Sequence, residues 1–199
     1  MLNYPAGHRP IRNTASERTT VNYGSRGMSL EERLNLSNEY YITRQIAVIH
    51  KKPTPVQVVK VDYPKRSAAR IVEAYYRHAS TTDYNGVYKG YYIDFEAKET
   101  TNKTRFPLAN LPQHQIEHMR QCAQQGGVVF LILSFKVHQT VFLLPFSKLE
   151  NYLADPNRKS ISIHFLEEHA YQCQLGLFPH IDYLKEVDKL LLSSNSERS

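Results

Sequence analysis

The chain has 199 residues, of which 41% are hydrophobic and 22% charged, so it is long enough for one globular domain with a sizeable core. Its two cysteines, Cys122 and Cys173, are far apart and lack C-x-x-C spacing, which predicts neither a disulfide framework nor a thiolate zinc site. The net charge of +6 favours a polyanionic partner.

The ends of the chain differ in composition from its centre. Residues 1–28 are polar and aperiodic and carry four arginines, which predicts a flexible basic arm, with an idle tail as the open alternative. We expect one folded domain over residues 29–192 and a frayed end over 193–199. The N-terminus has no secretory signal, and the longest apolar run, Gly127 to Phe135, is shorter than the roughly 20 residues that span a bilayer. A cytoplasmic protein is therefore expected.

The first half of the domain alternates between helical and extended patterns. A capping box at Ser29–Glu32 starts a helix that is predicted to end near Tyr41. Short strands are predicted over Ile46–Ile49 and Val56–Val61. Arg66–His78 has its apolar residues at helical spacing, so a second helix is predicted there.

The second half predicts a mixed α/β fold, in which a central sheet is flanked by helices. The apolar run after Gly126 is continuous enough for a strand buried on both faces. The predicted elements are a helix at Pro112–Gln125, strands at Val128–Leu133 and Thr140–Leu144, and helices at Phe146–Leu153 and Tyr183–Leu192.

The most informative segment lies between these halves, where residues 91–98 alternate in polarity. Tyr92, Asp94, Glu96 and Lys98 fall on one face of the predicted strand, and the apolar residues between them fall on the other. We expect a tight turn at Asn85-Gly86 and a second bend at Lys89-Gly90, which together would bring Asp83 beside Glu96.

Asp83 and Glu96 form a pair of carboxylates suited to Mg²⁺, and Lys98 would stabilise charge on a phosphate under attack. The alternative is a solvated surface strand, since E-x-K is a common pattern. Thr81 or Thr82 could add an oxygen ligand, although both are also ordinary strand formers.

Helix 112–125 offers two further candidate ligands. Gln115 could supply a metal ligand or hold the scissile phosphate, and a polar helix face is the alternative. His114 and His118 resemble half of a zinc pair, but a third ligand is missing and a solvated face explains the spacing equally well. The sequence leaves open whether an acidic residue of the first helix approaches the metal.

The segment from residue 51 to residue 77 is strongly basic, with interleaved tyrosines. Cations neutralise phosphates, and tyrosines can stack on unpaired bases, so this segment favours DNA binding over a merely solvated face. The predicted DNA-binding residues are Lys51, Lys52, Lys65, Arg66, Arg70 and Arg77.

Over nearly its whole length the chain resembles the RecU-type Holliday junction resolvases of Gram-positive bacteria. The resemblance rests on Gln45–Gln57, Tyr63–Ala69, Ser80–Gly86, Tyr92–Thr100 and His114–Met119. It implies a restriction-endonuclease-like PD-(D/E)xK fold, a homodimer, and Mg²⁺-dependent paired nicking of four-way junctions in recombination and repair.

The resemblance also implies roles for particular residues. Asp83, Glu96, Gln115 and a threonine beside Asp83, taken as Thr81, would hold the metal, and Lys98 would stabilise the transition state. Arg66 would handle the junction, residues 56–80 would form a projecting stalk, and the recombinase would be a further partner. Two alternatives stay open: a non-catalytic DNA-binding or strand-annealing protein, and a sequence-specific restriction-type nuclease.

Overall fold

The computed structural model describes residues 27–65, 68–76 and 81–196 of the chain. Five α-helices and twelve β-strands lie within these ranges. The helices are α1 (Leu30–Thr43), α2 (Gln113–Gln124), α3 (Phe146–Leu153), α4 (Ile163–His169) and α5 (Leu184–Ser196). The strands are β1 (Val48–Lys51), β2 (Val56–Asp62), β3 (Arg70–Tyr76), β4 (Tyr84–Tyr88), β5 (Tyr91–Thr100), β6 (Arg105–Pro107), β7 (Val128–Phe135), β8 (Thr140–Pro145), β9 (Ser160–Ser162), β10 (Tyr171–Gln172), β11 (Gln174–Leu175) and β12 (Ile181–Asp182).

Six strands form the central sheet, in the order β1-β4-β5-β7-β8-β10. Strands β5 and β7 are parallel, with Glu96 opposite Leu131, and the other neighbouring pairs are antiparallel. Parallel neighbours need a long crossover connection, and α2 lies within the one that joins β5 to β7. The predicted mixed α/β sheet with flanking helices is confirmed.

The alternation of β7 divides the core between the two faces of the sheet. Phe130 and Ile132 pack with α1 and α5, whereas Leu131 and Leu133 pack with α2, α3 and α4. β7 is therefore covered by helices on both sides, as its continuous apolar sequence predicts. Asp94 and Glu96 of β5 share the α2 side because they pair with Val129 and Leu131 of β7, which face that side.

The helix starts and ends follow local sequence signals. The Ser29 hydroxyl accepts a hydrogen bond from the Glu32 amide at 3.2 Å, and the Glu32 carboxylate accepts one from the Ser29 amide at 2.7 Å, so the predicted capping box is confirmed. Helix α2 ends before Gly126, whose φ of +83° only glycine adopts easily. Helix α5 continues to Ser196, beyond the predicted end at Leu192.

The prediction of a tight turn at Asn85-Gly86 is wrong, because both residues lie within strand β4. The reversal occurs at Lys89-Gly90, where both φ values are positive, at 50° and 83°. Gly86 is required for a different reason: a Cβ there would lie 2.0 Å from the carbonyl oxygen of Val48 in the neighbouring strand.

The predicted helix over Arg66–His78 is also wrong, because most of the described part of this segment is strand β3. It pairs with β2 in a separate two-stranded sheet, and almost every side chain of both strands is exposed. The large apolar residues of β3 are Ile71, Val72, Tyr75 and Tyr76, and β-branched and aromatic residues prefer strands. We call the hairpin from Val56 to Tyr76 the stalk hairpin. Residues 66–67 and 77–80 lie outside the described ranges.

The fold also contains several small elements near the end of the chain. The small strands β9 to β12 and helix α4, which fill residues 160–182, follow no strong periodicity and were not predicted. Within the described ranges, no helix is both long and apolar enough to cross a membrane. The basic arm predicted for residues 1–28 lies almost entirely outside the described residues.

Candidate active site

The β4–β5 hairpin brings Asp83 and Glu96 together. Tyr84, the first residue of β4, pairs with Phe95 of β5, so the residues on either side of this pair are adjacent across the hairpin. The backbone amide of Asp83 donates a hydrogen bond to Glu96 Oε2 at 3.1 Å. The predicted proximity of these two residues is thus found, and of the two predicted turns only the one at Lys89-Gly90 produces it.

Glu96 is a fully buried carboxylate with one cation beside it. The Lys98 Nζ lies 2.7 Å from Glu96 Oε1, because residues two apart on a strand share a face. Burial, and next the nearby Asp83 charge, raise the pKa of Glu96 to about 8, while Lys98 opposes this rise. A further positive charge beside the Glu96 carboxylate, such as a bound cation, would favour its ionised form.

Gln115 lies on the first turn of α2, the helix that packs against β5 and β7. Its side chain is buried, and its Oε1 atom has no hydrogen-bond partner within the described part of the chain. A buried, unsatisfied acceptor is rare and calls for a partner such as an ion or a water. Together with the Asp83 and Glu96 carboxylates, this set of oxygen donors fits a hard divalent cation.

The structure distinguishes the two threonines that the sequence left open. The buried Thr82 hydroxyl donates a short hydrogen bond to Asp94 Oδ1 and accepts one from Lys52 Nζ, so it already has two partners in the protein. The Thr81 hydroxyl makes only a 3.3 Å contact with the Thr82 carbonyl, and Thr81 is partly exposed. Thr81 is thus the threonine whose hydroxyl is available to an ion beside Asp83.

Among the acidic residues of α1, Glu31 comes near Asp83. Both line a cavity of about 180 Å³, together with Glu99 of β5. Glu31 is already paired with Lys51 at 2.5 Å, and Glu32 is occupied in the capping box. Lys51 thus holds the Glu31 carboxylate beside the site, whereas the Glu32 carboxylate caps the helix.

A buried polar network around Asp94 lies beside the site and was not predicted. Asp94 is completely buried, and its Oδ2 accepts from Lys52 Nζ at 2.8 Å and from the Tyr92 hydroxyl at 2.9 Å. Lys52 Nζ also donates to the Thr82 hydroxyl at 2.8 Å, and its backbone amide donates to the Asp83 carbonyl at 2.7 Å. The feature of the sequence that could have indicated this network is the position of Asp94 on the same strand face as Glu96.

The predicted DNA-binding residues occupy different environments. Lys65 and Arg70 are exposed in the stalk hairpin, as DNA contacts would need to be. Lys51 is paired with Glu31, and the Lys52 ammonium is turned inward to Asp94 rather than outward. Arg66 and Arg77 lie outside the described residues.

The two histidines of α2 have different surroundings. His114 is exposed, whereas His118 is partly buried, with its Nε2 3.4 Å from Asp94 Oδ2. The residue one turn beyond it is Cys122, whose Sγ lies 3.5 Å from the same Nε2 atom. The His114–His118 pair considered from the sequence is not brought together around a common ligand position.

Comparison with known proteins connects this geometry to one family. The family model described as recombination protein U matches residues 25–189. Proteins named Holliday junction resolvase RecU from Staphylococcus aureus strains JH9 and Mu50 are each 51% identical over 207 aligned residues, which cover 99% of this chain and 100% of the relative. A solved structure of Archaeoglobus fulgidus Hjc, titled a Holliday junction resolvase, is 14% identical and covers 50% of this chain and 77% of its own, at a TM-score of 0.34.

Proposed function

This chain belongs to the recombination protein U family, and from this membership we propose that it resolves Holliday junctions by cutting DNA. The cuts would be paired, symmetric nicks made during homologous recombination and DNA repair. The observation that carries the proposal is the juxtaposition of Asp83 with Glu96, with the Lys98 ammonium 2.7 Å from the Glu96 carboxylate. The family relation supports the type of substrate, and this geometry supports metal-dependent hydrolysis.

Asp83, Glu96, Gln115 and Thr81 are the residues proposed to hold Mg²⁺. When bound, Mg²⁺ supplies positive charge to a phosphate oxygen and lowers the pKa of a water. All four side chains offer oxygen atoms, and the unsatisfied Gln115 Oε1 is the clearest sign that a ligand belongs there. The Asp83 amide fixes the orientation of the Glu96 carboxylate through its 3.1 Å hydrogen bond.

Lys98 is proposed to stabilise negative charge on the phosphate as the attacking oxygen bonds to phosphorus. Its ammonium sits beside the buried Glu96 carboxylate, and about a fifth of its side chain remains accessible. A partly desolvated ammonium interacts more strongly with developing charge than one in bulk water. Glu96 holds the ammonium close to the proposed metal ligands.

The stalk hairpin and its exposed cations are proposed to contact the branched DNA. Lys65 and Arg70 carry charge, and Tyr63, Tyr75 and Tyr76 present exposed rings that can stack on unpaired bases at a junction. A four-way junction has two-fold symmetry, so we propose a homodimer that presents two active sites related by a matching axis. The recombinase is a further proposed partner, and the bacterial cytoplasm, where chromosomal DNA lies, is the proposed location.

The test is cleavage of a synthetic mobile four-way junction in Mg²⁺, with wild type beside Asp83→Ala. We expect the variant to lose cleavage and to keep junction binding, measured by gel shift in Ca²⁺ or EDTA. Asp155→Ala is the matched control, because Asp155 is an exposed carboxylate in the loop after α3 whose partners, Asn157 and Arg158, lie in the same loop. Cleavage at the normal rate by Asp83→Ala would overturn the assignment.

Other outcomes of this assay separate the alternative functions. Annealing or binding without any cut phosphodiester, at all Mg²⁺ concentrations, would indicate a non-catalytic accessory protein. Equal cleavage of a linear duplex that carries the same sequence would indicate a restriction-type nuclease. A strong preference for the junction supports the proposed resolvase.

A further inference from the structure

Three side chains with the chemistry of a transition-metal site meet beside the Asp94 network. Asp94 comes from β5, and His118 and Cys122 lie one turn apart on the inner side of α2. Their ligand atoms all lie within 4.8 Å of one another. The group combines one oxygen, one nitrogen and one sulfur donor, whereas the proposed Mg²⁺ ligands offer oxygen alone.

Two of the three distances between these donors match those around a tetrahedral ion. His118 Nε2 is 3.4 Å from Asp94 Oδ2 and 3.5 Å from Cys122 Sγ. Zinc bonds of about 2.0–2.3 Å at tetrahedral angles place neighbouring ligand atoms roughly 3.3–3.7 Å apart. These two separations already suit one ion, and the third pair, Asp94 and Cys122, lies within 4.8 Å, so small side-chain rotations bring all three atoms to it.

The site is reached from solvent through a cavity of about 520 Å³. His118 and Cys122 form part of its wall, together with Tyr92 and Gln121. A three-ligand zinc site needs a fourth position for water or another small ligand. This cavity supplies both that position and an entry path.

The Lys52 ammonium already places a positive charge at this point. It lies 2.8 Å from Asp94 Oδ2 and 3.4 Å from His118 Nε2. The surroundings are thus arranged for a cation. A metal ion would displace the ammonium from Asp94, and the Thr82 hydroxyl at 2.8 Å would remain as its partner.

We propose that Asp94, His118 and Cys122 form a site for a thiophilic divalent ion such as Zn²⁺, separate from the proposed Mg²⁺ site. Burial, and next the Asp94 carboxylate, raise the pKa of the Cys122 thiol, so the ion displaces a proton from Cys122 when it binds. The inference rests on side chains other than the proposed Mg²⁺ ligands and does not depend on nuclease activity.

The test uses Co²⁺ as a spectroscopic stand-in for Zn²⁺ on the reduced, full-length protein. We expect one equivalent of Co²⁺ to give a thiolate-to-cobalt absorption band in the near ultraviolet and the intense visible bands of a tetrahedral site. Zn²⁺ should then abolish both. The chain offers a matched pair of variants, because Cys173 is the other cysteine and is buried in the core on the opposite face of the sheet.

Cys122→Ser should lose the near-ultraviolet band, and Cys173→Ser should keep it. On the same helix, His118→Ala should weaken Co²⁺ binding at least tenfold, while the exposed His114→Ala should leave it unchanged. These variants need only retain the wild-type circular dichroism to be informative. Absence of the band in wild type, or its persistence in Cys122→Ser, would overturn the proposal.

Lys52→Met gives an independent measurement of where the ion sits. Because the substitution removes a cation that competes for Asp94, we expect Zn²⁺ to bind at least tenfold more tightly, measured by competition with a chromophoric chelator. Unchanged or weaker binding in Lys52→Met would place the ion away from Asp94 and contradict the proposed ligand set.

Discussion

At the scale of single residues, the environment of Glu96 makes the stability of the metal-free protein depend on pH. Its carboxyl is completely buried and lies near Asp83, and its pKa rises from the usual 4.5 to about 8. The folded state therefore holds a proton that the unfolded state releases between these two values. The stabilisation is complete below pH 4.5 and is lost as the pH rises through 8.

We predict that the melting temperature in EDTA falls by roughly 5 °C between pH 5.5 and pH 8.5, as the folded protein is forced to ionise Glu96. In Glu96→Gln this part of the pH dependence should disappear, because the amide does not titrate. Differential scanning calorimetry of both proteins measures the difference. Parallel curves for wild type and variant would show that Glu96 titrates normally.

Thr82 connects the Asp94 network to the backbone of the proposed catalytic segment. Its hydroxyl donates to Asp94 Oδ1 and accepts from Lys52, while Thr81 and Asp83 flank it. Thr82→Val leaves a buried carboxylate oxygen without its donor, so we expect unfolding to cost about 1–3 kcal/mol less. The Mg²⁺ concentration needed for cleavage should also rise, since the Thr81–Asp83 segment is less firmly held.

Thr82→Ser is the matched control for this change, because it keeps the hydroxyl and loses only a methyl group. We expect its unfolding free energy, from urea titration, and its Mg²⁺ dependence to stay near those of wild type. If serine and valine behaved alike, the hydroxyl would have no positioning role.

Residue-level patterns predicted part of the site but missed its surroundings. The period-two alternation of a strand places Glu96 and Lys98 on one face, and this is a local property that a sequence displays. The Asp94–Lys52 pair joins residues 42 positions apart, so no local pattern reveals it. Lys52 consequently looked like one more member of a basic surface cluster.

At the scale of secondary-structure elements, the stalk hairpin shows why one segment was wrongly predicted. Its apolar residues sit at spacings compatible with a helix, and they face no core that would reveal the true period. Pairing of β3 with β2 across the hairpin decides the conformation instead. Elements with a buried face, such as β7 and α3, were predicted closely because burial imposes one period on the sequence.

The exposure of the stalk hairpin leads to a prediction about its contribution. Val56 pairs with Tyr76, so residues 57–75 can be replaced by a short Gly-Ser turn without stretching the chain. We expect the melting temperature to change by less than about 3 °C, because these residues contribute almost nothing to the core. Junction affinity should fall at least tenfold, with a shallower salt dependence, because phosphate contacts are lost.

A milder variant controls for the deletion. Lys65→Ala combined with Arg70→Ala keeps the hairpin and removes two exposed cations, so it should reproduce the change in salt dependence with a smaller loss of affinity. Gel-shift titrations of a four-way junction at several salt concentrations measure both effects. Wild-type affinity after removal of the hairpin would exclude it as a DNA contact.

At the scale of the whole molecule, composition and pattern were sufficient for the class of fold but not for its topology. The order β1-β4-β5-β7-β8-β10 depends on pairings between distant segments, and β10 consists of two residues only. Residues 160–182 form short elements whose positions are fixed by contacts with larger ones. Such pairings between distant segments form only in the folded chain and leave no local pattern in the sequence.

The proposed dimer is testable through the symmetry of its product. In a mixed dimer with one wild-type subunit and one Asp83→Ala subunit, a single active site remains. We expect such dimers to nick one strand of a junction and to yield few linear duplex products, since paired nicks need two sites. Separately tagged subunits, purified together, allow this measurement on a supercoiled cruciform plasmid.

The result is read from the form of the plasmid after cleavage. Wild-type dimers should produce linear plasmid, whereas mixed dimers should accumulate the nicked circle. Linear plasmid from mixed dimers at the wild-type rate would contradict two independent sites within one dimer.

The exposed tyrosines of the stalk hairpin also make the unlabelled protein an optical reporter. The chain has fourteen tyrosines and no tryptophan, so its ultraviolet emission comes from phenol rings alone, without a stronger indole signal to mask them. Tyr63 and Tyr76 have 70% and 84% of their surface open to solvent. We expect a base that stacks on such a ring to quench its fluorescence, so the proposed contact of the hairpin with a junction can be followed in real time on the native chain.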